Sequence, residues 1–307
     1  MAFVDHPVRV WAPASSANLG PGFDSFGLAL NRFDEVTAEV TPGGLSIELA
    51  GMGAGLVALD ESHLVVRSMR ACFELLGGQP AGLRLVCRNE IPHGRGLGSS
   101  AAAIVAGVEL ARSLRVGGRQ QLDDEAALAL ASELEGHPDN VAACLLGGLT
   151  VAWQQVAEPG SGSTGARAVR LEPSGVSPVL FIPPDQLVTA TARAALPEQV
   201  PHVDAAFNLN RSALLLLALT GRPELLLPAT EDRLHQQYRA AQMPASTELV
   251  GALRRRGIAA VISGAGPSVL ALAAPGQAAD AAADCPVGWE AALLAPAAGT
   301  RCEPVAD

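Results

Sequence analysis

The residues with the clearest chemical meaning form a glycine-rich stretch that leads into a run of alanine and valine. Between Glu90 and Ala103, glycines stand at positions 94, 96 and 98 and are followed by Ser99 and Ser100. Glycine lets the backbone turn sharply beside a ligand, and a helix N-terminus presents free N–H groups to an anion. The stretch therefore indicates a phosphate-binding loop, with a plain turn into a buried helix as the alternative. A dinucleotide fingerprint is disfavoured, because Ser99 stands where its third glycine would be.

Side chains near this loop could complete a nucleotide site. A magnesium ion bound to a nucleotide needs hard oxygen ligands, and Ser100 at the helix start could supply one. Glu133 or Glu135, at the end of the next predicted helix, could supply another, and the residue pattern leaves that choice open. Taken as an isolated carboxylate, each glutamate would more often be a solvated surface residue.

Three other segments carry polar residues at places where a hydrophobic core would exclude them. Residues 13–27 are rich in turn formers and follow the first predicted strand, residues 135–141 follow a helix end, and residues 262–268 form a glycine turn between apolar strands. Each segment alone is compatible with an ordinary turn, because Asn, Asp and Gly are common turn residues. Their co-occurrence in one chain favours a functional site.

The charged residues exclude several classes of protein. The chain of 307 residues has 21 basic side chains, all of them arginine, and 31 acidic ones, which gives a formal net charge of −10. Without lysine there is no Walker-A phosphate loop, no ATP-binding lysine of a protein kinase and no Schiff base. An acidic balance with only 4% aromatic residues argues against nucleic acid as a partner.

The cysteines and the hydrophobic runs favour a cytoplasmic location. Five widely spaced cysteines without Cys-x-x-Cys pairs are typical of reduced thiols. No basic start followed by an apolar segment is found near the N-terminus, so no signal peptide is predicted. The charge-free run 257–279 contains glycines and prolines that break a helix, so no membrane span is predicted.

The elements that must position these segments follow from hydrophobic periodicity. Alternating apolar and polar residues predict strands, and helical spacing ended by glycine predicts helices. The predicted strands are 8–11, 34–40, 45–49, 83–88, 147–153, 178–182, 259–263 and 269–273, and the predicted helices are 63–76, 99–114, 123–135, 205–220 and 248–256, before a short tail. Residues 159–165 are the most linker-like stretch. Because strands and helices mix without regular βα alternation, we expect an α+β fold in two lobes.

Together these segments resemble the GHMP kinases, the family named for galactokinase, homoserine kinase, mevalonate kinase and phosphomevalonate kinase. The stretch 92–102, Pro-His-Gly-Arg-Gly-Leu-Gly-Ser-Ser-Ala-Ala, looks like the family's nucleotide loop, and 262–268 looks like its C-terminal glycine motif. Residues 13–27 and the stretch Glu-Gly-His-Pro-Asp-Asn-Val-Ala are similar to homoserine kinases in particular. The resemblance covers nearly the whole chain.

The missing lysine is consistent with that branch. Mevalonate kinase-like members carry a lysine in the first motif, paired with a catalytic aspartate in the third. This chain has Ser15 and Ser16 in the first motif, and Asn140 stands near the expected place of the aspartate. Homoserine kinases are similar in lacking that base.

The resemblance implies a particular architecture. Residues 1–157 would form an N-terminal ATP-binding lobe with a left-handed βαβ crossover, against the usual handedness of such units. Residues 158–307 would form a ferredoxin-like C-terminal lobe that completes the substrate site. The family resemblance further implies a homodimer.

The resemblance also implies a role for each motif residue. The implied nucleotide contacts are Pro92, His93, Gly94, Arg95, Gly96, Leu97, Gly98, Ser99, Ser100, Ala101 and Ala102. The implied substrate contacts are Asn18, Asp24, His137, Asp139, Arg193, Arg239 and Gly264. Asn140 and His137 would be catalytic, and Ser100 with Glu135 would bind magnesium, with Glu133 as the alternative to Glu135.

The reaction implied by the resemblance is transfer of the γ-phosphoryl group of ATP to the hydroxyl of L-homoserine, which gives O-phospho-L-homoserine for threonine biosynthesis. Bidentate pairing of guanidinium with carboxylate is the physical reason for Arg193 and Arg239, each of which alone would suggest only a surface arginine. Alignment and charge stabilisation carry most of the rate in phosphoryl transfer, so a site without a strong base is acceptable. The alternatives are a kinase of the same fold acting on another small alcohol, a decarboxylase, and a ligand sensor without turnover.

Overall fold

A computed structural model of the chain describes residues 2–155 and 165–305. In the first part the elements are β1 Val8–Ala17, β2 Phe26–Thr41, β3 Gly44–Gly51, α1 Leu64–Leu75, β4 Gly82–Asn89, α2 Ser99–Leu114, α3 Gly118–Gln121, α4 Asp124–Glu135, α5 Pro138–Leu146 and β5 Leu149–Gln155. In the second part they are β6 Gly165–Leu171, β7 Ser177–Ile182, α6 Thr189–Ala194, α7 His202–Leu219, α8 Leu226–Ala229, α9 Gln236–Arg239, α10 Pro244–Arg255, β8 Ala259–Ile262, β9 Val269–Ala273, α11 Ala278–Ala282, β10 Glu290–Leu293 and β11 Arg301–Pro304. The predicted linker 159–165 lies outside the described residues, except for Gly165, which begins β6.

The larger sheet is built mainly from the strand-rich first third of the chain. Its strand order is β11-β1-β2-β4-β3, while β5 pairs with β2 and β6 with β5. β3 and β4 are parallel and α1 connects them, which forms a βαβ unit in the N-terminal lobe, where the family resemblance implies one. β1 and β2 pair antiparallel up to Ala17 and Gly27, so residues 18–25 connect the two strands of a long hairpin.

Helix α2 lies at the buried centre of the larger lobe. Its alanine- and valine-rich sequence is buried on most of its circumference, as the narrow side chains predict. A Cβ atom at Gly107 would lie 2.5 Å from the carbonyl oxygen of Val65 in α1, so only glycine permits this close approach of the two helices. A helix packed in this way holds its N-terminus in one direction.

The smaller sheet has the strand order β10-β7-β9-β8, and its strand pairs are antiparallel. Along the chain its elements follow the sequence β7, helices, β8, β9, α11, β10, which is the βαββαβ order of a ferredoxin-like unit. Phe181, Leu253 and Val269 are buried between this sheet and α10. The predicted α+β fold with two lobes is therefore confirmed.

Most predicted elements are confirmed within a few residues, and the differences have physical reasons. β2 begins at Phe26 and not at residue 34, because Leu28 to Leu30 are all buried and show no alternation. α5 was not predicted, since its polar first turn begins at Pro138 and resembles a loop in sequence. The predicted tail contains α11, β10 and β11, and β11 pairs with β1.

The division into residues 1–157 and 158–307 remains a proposal about folding units. Strand pairing crosses that boundary, because β6 and β11 lie in the larger sheet. Within residues 2–155 and 165–305, no helix is both long enough and apolar enough to cross a membrane.

Candidate active site

One cavity of about 280 Å³ brings together most of the side chains that the sequence motifs indicated. Its lining residues before residue 155 are Asn18, Gly94, Gly96, Leu97, Gly98, Ser99, Ser100, Glu135, His137, Asp139 and Asn140. Those after residue 165 are Leu187, Val188, Thr189, Arg193, Arg239, Gly264 and Ala265. Six separate segments of the chain therefore meet at one place, around residues 18, 94–100, 135–140, 187–193, 239 and 264–265.

The glycine loop and the start of α2 form one end of this cavity. Gly94, Gly96 and Gly98 have φ angles of 65°, 71° and 66°, in the left-handed region that other residues seldom adopt. Gly98 is the N-cap residue of α2, and no side chain caps the helix. The N–H groups of the first turn are therefore available to an anion, as a phosphate site requires.

Five predicted nucleotide contacts do not line this cavity: Pro92, His93, Arg95, Ala101 and Ala102. The Arg95 guanidinium donates hydrogen bonds to the carbonyl oxygens of Pro183 at 2.9 Å and Pro184 at 2.6 Å. Ala101 and Ala102 are buried in α2. Arg95 therefore ties the loop to residues 183 and 184, and a nucleotide contact by any of the five residues stays a prediction.

A second cavity of about 250 Å³ adjoins the loop at Ser99 and Ser100. His93 lines it, together with Asp34 and His63, which no sequence motif indicated. Burial raises the pKa of Asp34 to about 6, although its hydrogen bonds from the backbone N–H groups of residues 90 and 91 oppose the shift. Nδ1 of His63 is buried and makes no hydrogen bond to a described residue, so this mostly apolar cavity contains polar atoms suited to a ligand.

Ser100 and Glu135 are brought together beside the first turn of α2. The Ser100 hydroxyl donates a hydrogen bond of 2.6 Å to Oε1 of Glu135, the last residue of α4. Burial raises the pKa of Glu135, and the hydrogen bond from Ser100 opposes this shift. Glu133 lines a different cavity, so the geometry favours Glu135 of the two glutamates.

The oxygen atoms of Ser100 and Glu135 fit a magnesium ion that also binds phosphate. Magnesium is usually held by one or two protein carboxylates together with phosphate oxygens and water. Among the described residues, no group of three or more His, Cys, Asp or Glu side chains could hold a metal by itself. Nucleotide phosphates would therefore have to complete the coordination of such an ion.

Two serines of β1 connect the first motif to the other motifs. The Ser15 hydroxyl donates a hydrogen bond of 2.9 Å to Oδ1 of Asn140. The Ser16 hydroxyl lies 2.8 Å from that of Ser263, which also lies 2.6 Å from the carbonyl oxygen of Gly96. Oδ1 of Asn140 is thus engaged, while Nδ2 makes one long contact, 3.5 Å to Oδ1 of Asp139, and has a second N–H for a ligand.

His137 and Asp139 form a close pair at the start of α5. Nδ1 of His137 lies 2.6 Å from Oδ1 of Asp139, which also accepts the backbone N–H of Asn140 at 2.7 Å. Burial lowers the pKa of His137, but the hydrogen bond and charge of Asp139, together with the charge of Glu135, outweigh it and raise the pKa. The pair therefore favours the protonated ring of His137, which can donate a hydrogen bond.

Arg193, predicted to bind the substrate carboxylate, and Asp24, predicted as another substrate contact, bind each other in this structure. The guanidinium donates two hydrogen bonds to the Asp24 carboxylate, at 2.8 and 3.1 Å, and they raise the pKa of Arg193. Asp24 lies next to the cavity and not in its lining, in a turn where its φ is 54° and that of Asn18 is 68°. The Asn18 side chain holds this turn by accepting the Asp24 N–H at 2.9 Å and donating to the Gly264 carbonyl at 3.0 Å.

Arg239 is a buried cation that pairs with no carboxylate of the described residues. The residue is only 2% exposed, and no carboxylate of residues 2–155 and 165–305 lies within 4 Å of its guanidinium. Its acceptors are the carbonyl oxygens of Ala192 at 3.1 Å and Gly264 at 3.4 Å and the His235 ring at 3.3 Å. Burial lowers the pKa of Arg239, and the charge of Arg193 adds to this shift. Because an uncompensated buried charge is costly, the site is suited to an anionic ligand.

Two residues that sequence analysis did not single out surround these arginines. The Phe23 ring centre lies 5.8 Å from Cζ of Arg193 and 5.6 Å from Cζ of Arg239, distances at which an aromatic face attracts a guanidinium. The ring of His235 stacks on Phe23 with centroids 5.2 Å apart. The sequence carried one signal that could have indicated His235: it precedes Arg239 by four residues, about one helical turn, so the two side chains can be neighbours.

Comparison with known proteins identifies the class of protein that this fold and site define. Residues 63–148 match the family described as GHMP kinases N terminal domain, and residues 213–285 match the family described as GHMP kinases C terminal. The chain therefore belongs to the GHMP kinases.

Similar proteins place the chain within that family. It is 60% identical to the homoserine kinase of Streptomyces coelicolor, over 89% of this chain and 86% of that protein. It is 57% identical to the homoserine kinase of Streptomyces avermitilis, over 95% of this chain and 94% of that protein. The crystal structure of homoserine kinase from Cytophaga hutchinsonii covers 99% of both chains with a TM-score of 0.83 at 26% identity. Among the GHMP kinases, the chain belongs to the homoserine kinases, which confirms the predicted branch.

Proposed function

We propose that this protein transfers the γ-phosphoryl group of ATP to the side-chain hydroxyl of L-homoserine, giving O-phospho-L-homoserine for threonine biosynthesis. The observation that carries this proposal is one cavity that contains both the N-terminus of α2, where the N-cap residue is a glycine, and Arg239, which pairs with no carboxylate in the described part of the chain. The helix end suits the phosphates of a nucleotide, and the arginine suits the carboxylate of an amino acid. The homoserine kinases at 60% and 57% identity support the same substrate.

The amino-acid end of homoserine would bind among the charged residues of the cavity. Arg239 and Arg193 would hold the α-carboxylate, and Asp24 or Asp139 would hold the α-ammonium, with the Gly264 carbonyl as a further acceptor. Because Arg193 and Asp24 already pair with each other, a zwitterion can replace that ion pair by two new ones. No charge is then left buried without a partner.

The hydroxyl end would lie near Asn140 and His137. Asn140, held by Ser15, would use Nδ2 to orient the hydroxyl oxygen toward the γ-phosphorus. The ring nitrogen of His137 that does not contact Asp139 would donate a hydrogen bond to an oxygen on which negative charge develops. Neither side chain is a strong base, which agrees with a reaction in which alignment and charge stabilisation carry most of the rate.

The nucleotide would extend from the start of α2 into the second cavity. Backbone N–H groups of residues 98–100 would hold the phosphates, and the base would enter the cavity that contains Asp34, His63 and His93. Ser100 and Glu135 would hold a magnesium ion, which neutralises phosphate charge when it is bound. The chain thus binds phosphate without a lysine.

A substrate panel tests the proposed function. Purified protein is incubated with ATP, magnesium and one of homoserine, shikimate, mevalonate or galactose, and ADP release is followed. We expect ADP release that depends on homoserine alone. ADP release with another alcohol and not with homoserine would support a different GHMP kinase, and no alcohol-dependent release would refute kinase activity.

We also propose that the protein is a cytoplasmic homodimer, as its family suggests. Sedimentation velocity of the purified protein tests the assembly. A species of twice the chain mass supports the dimer, and a monomer at micromolar concentration contradicts it.

A further inference from the structure

His235 is fully buried, and both of its ring nitrogens lie at hydrogen-bond distance from a partner. Nε2 lies 2.7 Å from the carbonyl oxygen of Gly20, and Nδ1 lies 3.3 Å from Nη1 of Arg239. A carbonyl oxygen can only accept and a guanidinium can only donate. Both contacts are therefore satisfied by one form of the ring, the neutral tautomer with its proton on Nε2.

The position of this ring is fixed from several sides. Phe23 stacks on one face of the ring, with an angle of 28° between the planes. The Asp232 carboxylate accepts the backbone N–H groups of His235 at 3.1 Å and Gln236 at 2.8 Å, which holds the start of α9. Oδ2 of Asp232 lies 3.6 Å from Nε2, too far for a hydrogen bond.

The same contacts join two parts of the proposed substrate site. Gly20 and Phe23 belong to the hairpin connection 18–25, which also carries Asp24. Arg239 is the last residue of α9, one turn after His235. The imidazole therefore links the turn that carries Asp24, one of the two carboxylates proposed for the ammonium, to the helix that carries Arg239, proposed for the carboxylate.

We propose that His235 is a positioning residue, which as the neutral Nε2–H tautomer orients the Arg239 guanidinium toward the carboxylate of the amino-acid substrate. The inference rests on the proposed homoserine kinase activity. An aspartate or glutamate at this place would pair with Arg239 and compensate its charge. A neutral acceptor fixes the guanidinium and leaves its charge for the substrate.

The surroundings of the ring support a neutral imidazole, and the contacts of Arg239 leave a donor for the substrate. Burial lowers the pKa of His235, and the nearby charge of Arg239 acts in the same direction, whereas Asp232, the Gly20 carbonyl and Asp24 oppose the shift. In addition, Nη2 of Arg239 makes no hydrogen bond to any described residue. This nitrogen is the free donor that the orientation by His235 leaves for a ligand.

A pair of amide variants separates the two hydrogen bonds of the ring. His235→Asn places an amide oxygen near the position of Nδ1 and can still accept from Arg239. His235→Gln reaches the position of Nε2 and can still donate to Gly20, but it leaves Arg239 without this acceptor. Each variant retains one contact, so the loss of packing is similar and the contact to Arg239 differs.

The steady-state constants for homoserine and ATP are measured for the wild type and both variants. We expect His235→Gln to raise KM for homoserine on the order of 10-fold or more, the effect of leaving a buried donor unpaired. We expect His235→Asn to raise it by less than about threefold, with kcat and the KM for ATP within about twofold of wild type in both variants. Equal KM values for homoserine in the two variants would overturn the proposal.

The wild-type enzyme provides a second measurement. The ¹⁵N chemical shifts of the His235 ring, assigned among the six histidines by the loss of its signals in the His235 variants, distinguish the two neutral tautomers and the imidazolium. A neutral ring with the proton on Nε2 supports the proposal, and either other form at neutral pH overturns it. Absence of homoserine-dependent ADP release by the wild type would instead refute the proposed function itself.

Discussion

Replacing Gly98 by alanine adds only one methyl group, but it should strongly impair the phosphate end of the active site. Gly98 is the N-cap residue of α2 and has a φ of 66°. A Cβ atom there would lie 2.1 Å from Oγ of Ser15 and 2.9 Å from Oδ1 of Asn140. Both distances are shorter than a van der Waals contact, so the Ser15 hydroxyl must move and lose its hydrogen bond to Asn140.

The expected loss of stability has two parts. Alanine in the left-handed region costs about 1–2 kcal/mol. Ser15 is fully buried, and leaving its hydroxyl without a partner costs about 1–3 kcal/mol. Gly98→Ala should therefore lower the free energy of unfolding by about 2–5 kcal/mol. Because Asn140 also loses the bond that orients it, kcat should fall on the order of 100-fold.

Gly117→Ala is the matched control for this change. Gly117 is the N-cap residue of α3 with a φ of 71°, and the nearest atom to an added Cβ would be Oε1 of Gln120 at 3.9 Å. The control therefore introduces the same backbone strain without a collision. We expect it to lose about 1–2 kcal/mol of stability and to keep the wild-type kcat.

Urea unfolding and initial rates of homoserine-dependent ADP release measure the two effects. Both variants are assayed at saturating ATP and homoserine, so that kcat is compared directly. If Gly98→Ala is no less stable than Gly117→Ala and retains its kcat, contact between the loop and Ser15 does not control Asn140. The role inferred for Ser15 would then be wrong.

Three further substitutions test other parts of the site. Glu135→Gln should raise the magnesium concentration that gives half-maximal activity by at least about 10-fold, because it removes a carboxylate proposed to bind the ion. Glu133→Gln should leave this concentration unchanged in the same magnesium titration. Arg193→Ala should lower kcat/KM for homoserine on the order of 30-fold, with ATP affinity, measured by equilibrium titration, unchanged. Burial raises the pKa of Asp34 from 3.8 to about 6, so its ionised form destabilises the folded state. Asp34→Asn removes this charge and should raise the free energy of unfolding at pH 8 by up to about 3 kcal/mol. This gain should disappear as the pH falls from 6 to 4, and a gain that does not depend on pH would contradict the assigned cause.

Features that depend on neighbouring residues could be predicted from the sequence. The glycine loop and the start of α2 lie within residues 94–100, and local backbone freedom followed by helical spacing is sufficient to predict them. The absence of lysine likewise excluded other phosphate-binding mechanisms without any structure. Short-range chemistry of this kind requires no knowledge of the tertiary fold.

The environment of each charge depended on residues far apart in the chain. Asp24 and Arg193 are 169 positions apart, and their pairing in this structure could not be predicted from either segment. Asp34 begins a predicted strand, and neither its burial nor its raised pKa left a signal in the sequence. Burial and ion pairing arise only when distant elements pack, so they could not be deduced from local pattern.

The sequence by itself therefore indicated phosphate held by a backbone loop, and its resemblance to a family predicted an amino-acid carboxylate held by arginine. Only the tertiary structure decided which of the candidate side chains lie in the cavity and which already have a partner. It favours Glu135 over Glu133, pairs Arg193 with Asp24, and leaves Arg239 buried without a carboxylate partner among the described residues. The physical reason is that residue type sets what a side chain can bind. Desolvation and the distances between charges set how strongly it binds and whether another residue already occupies it.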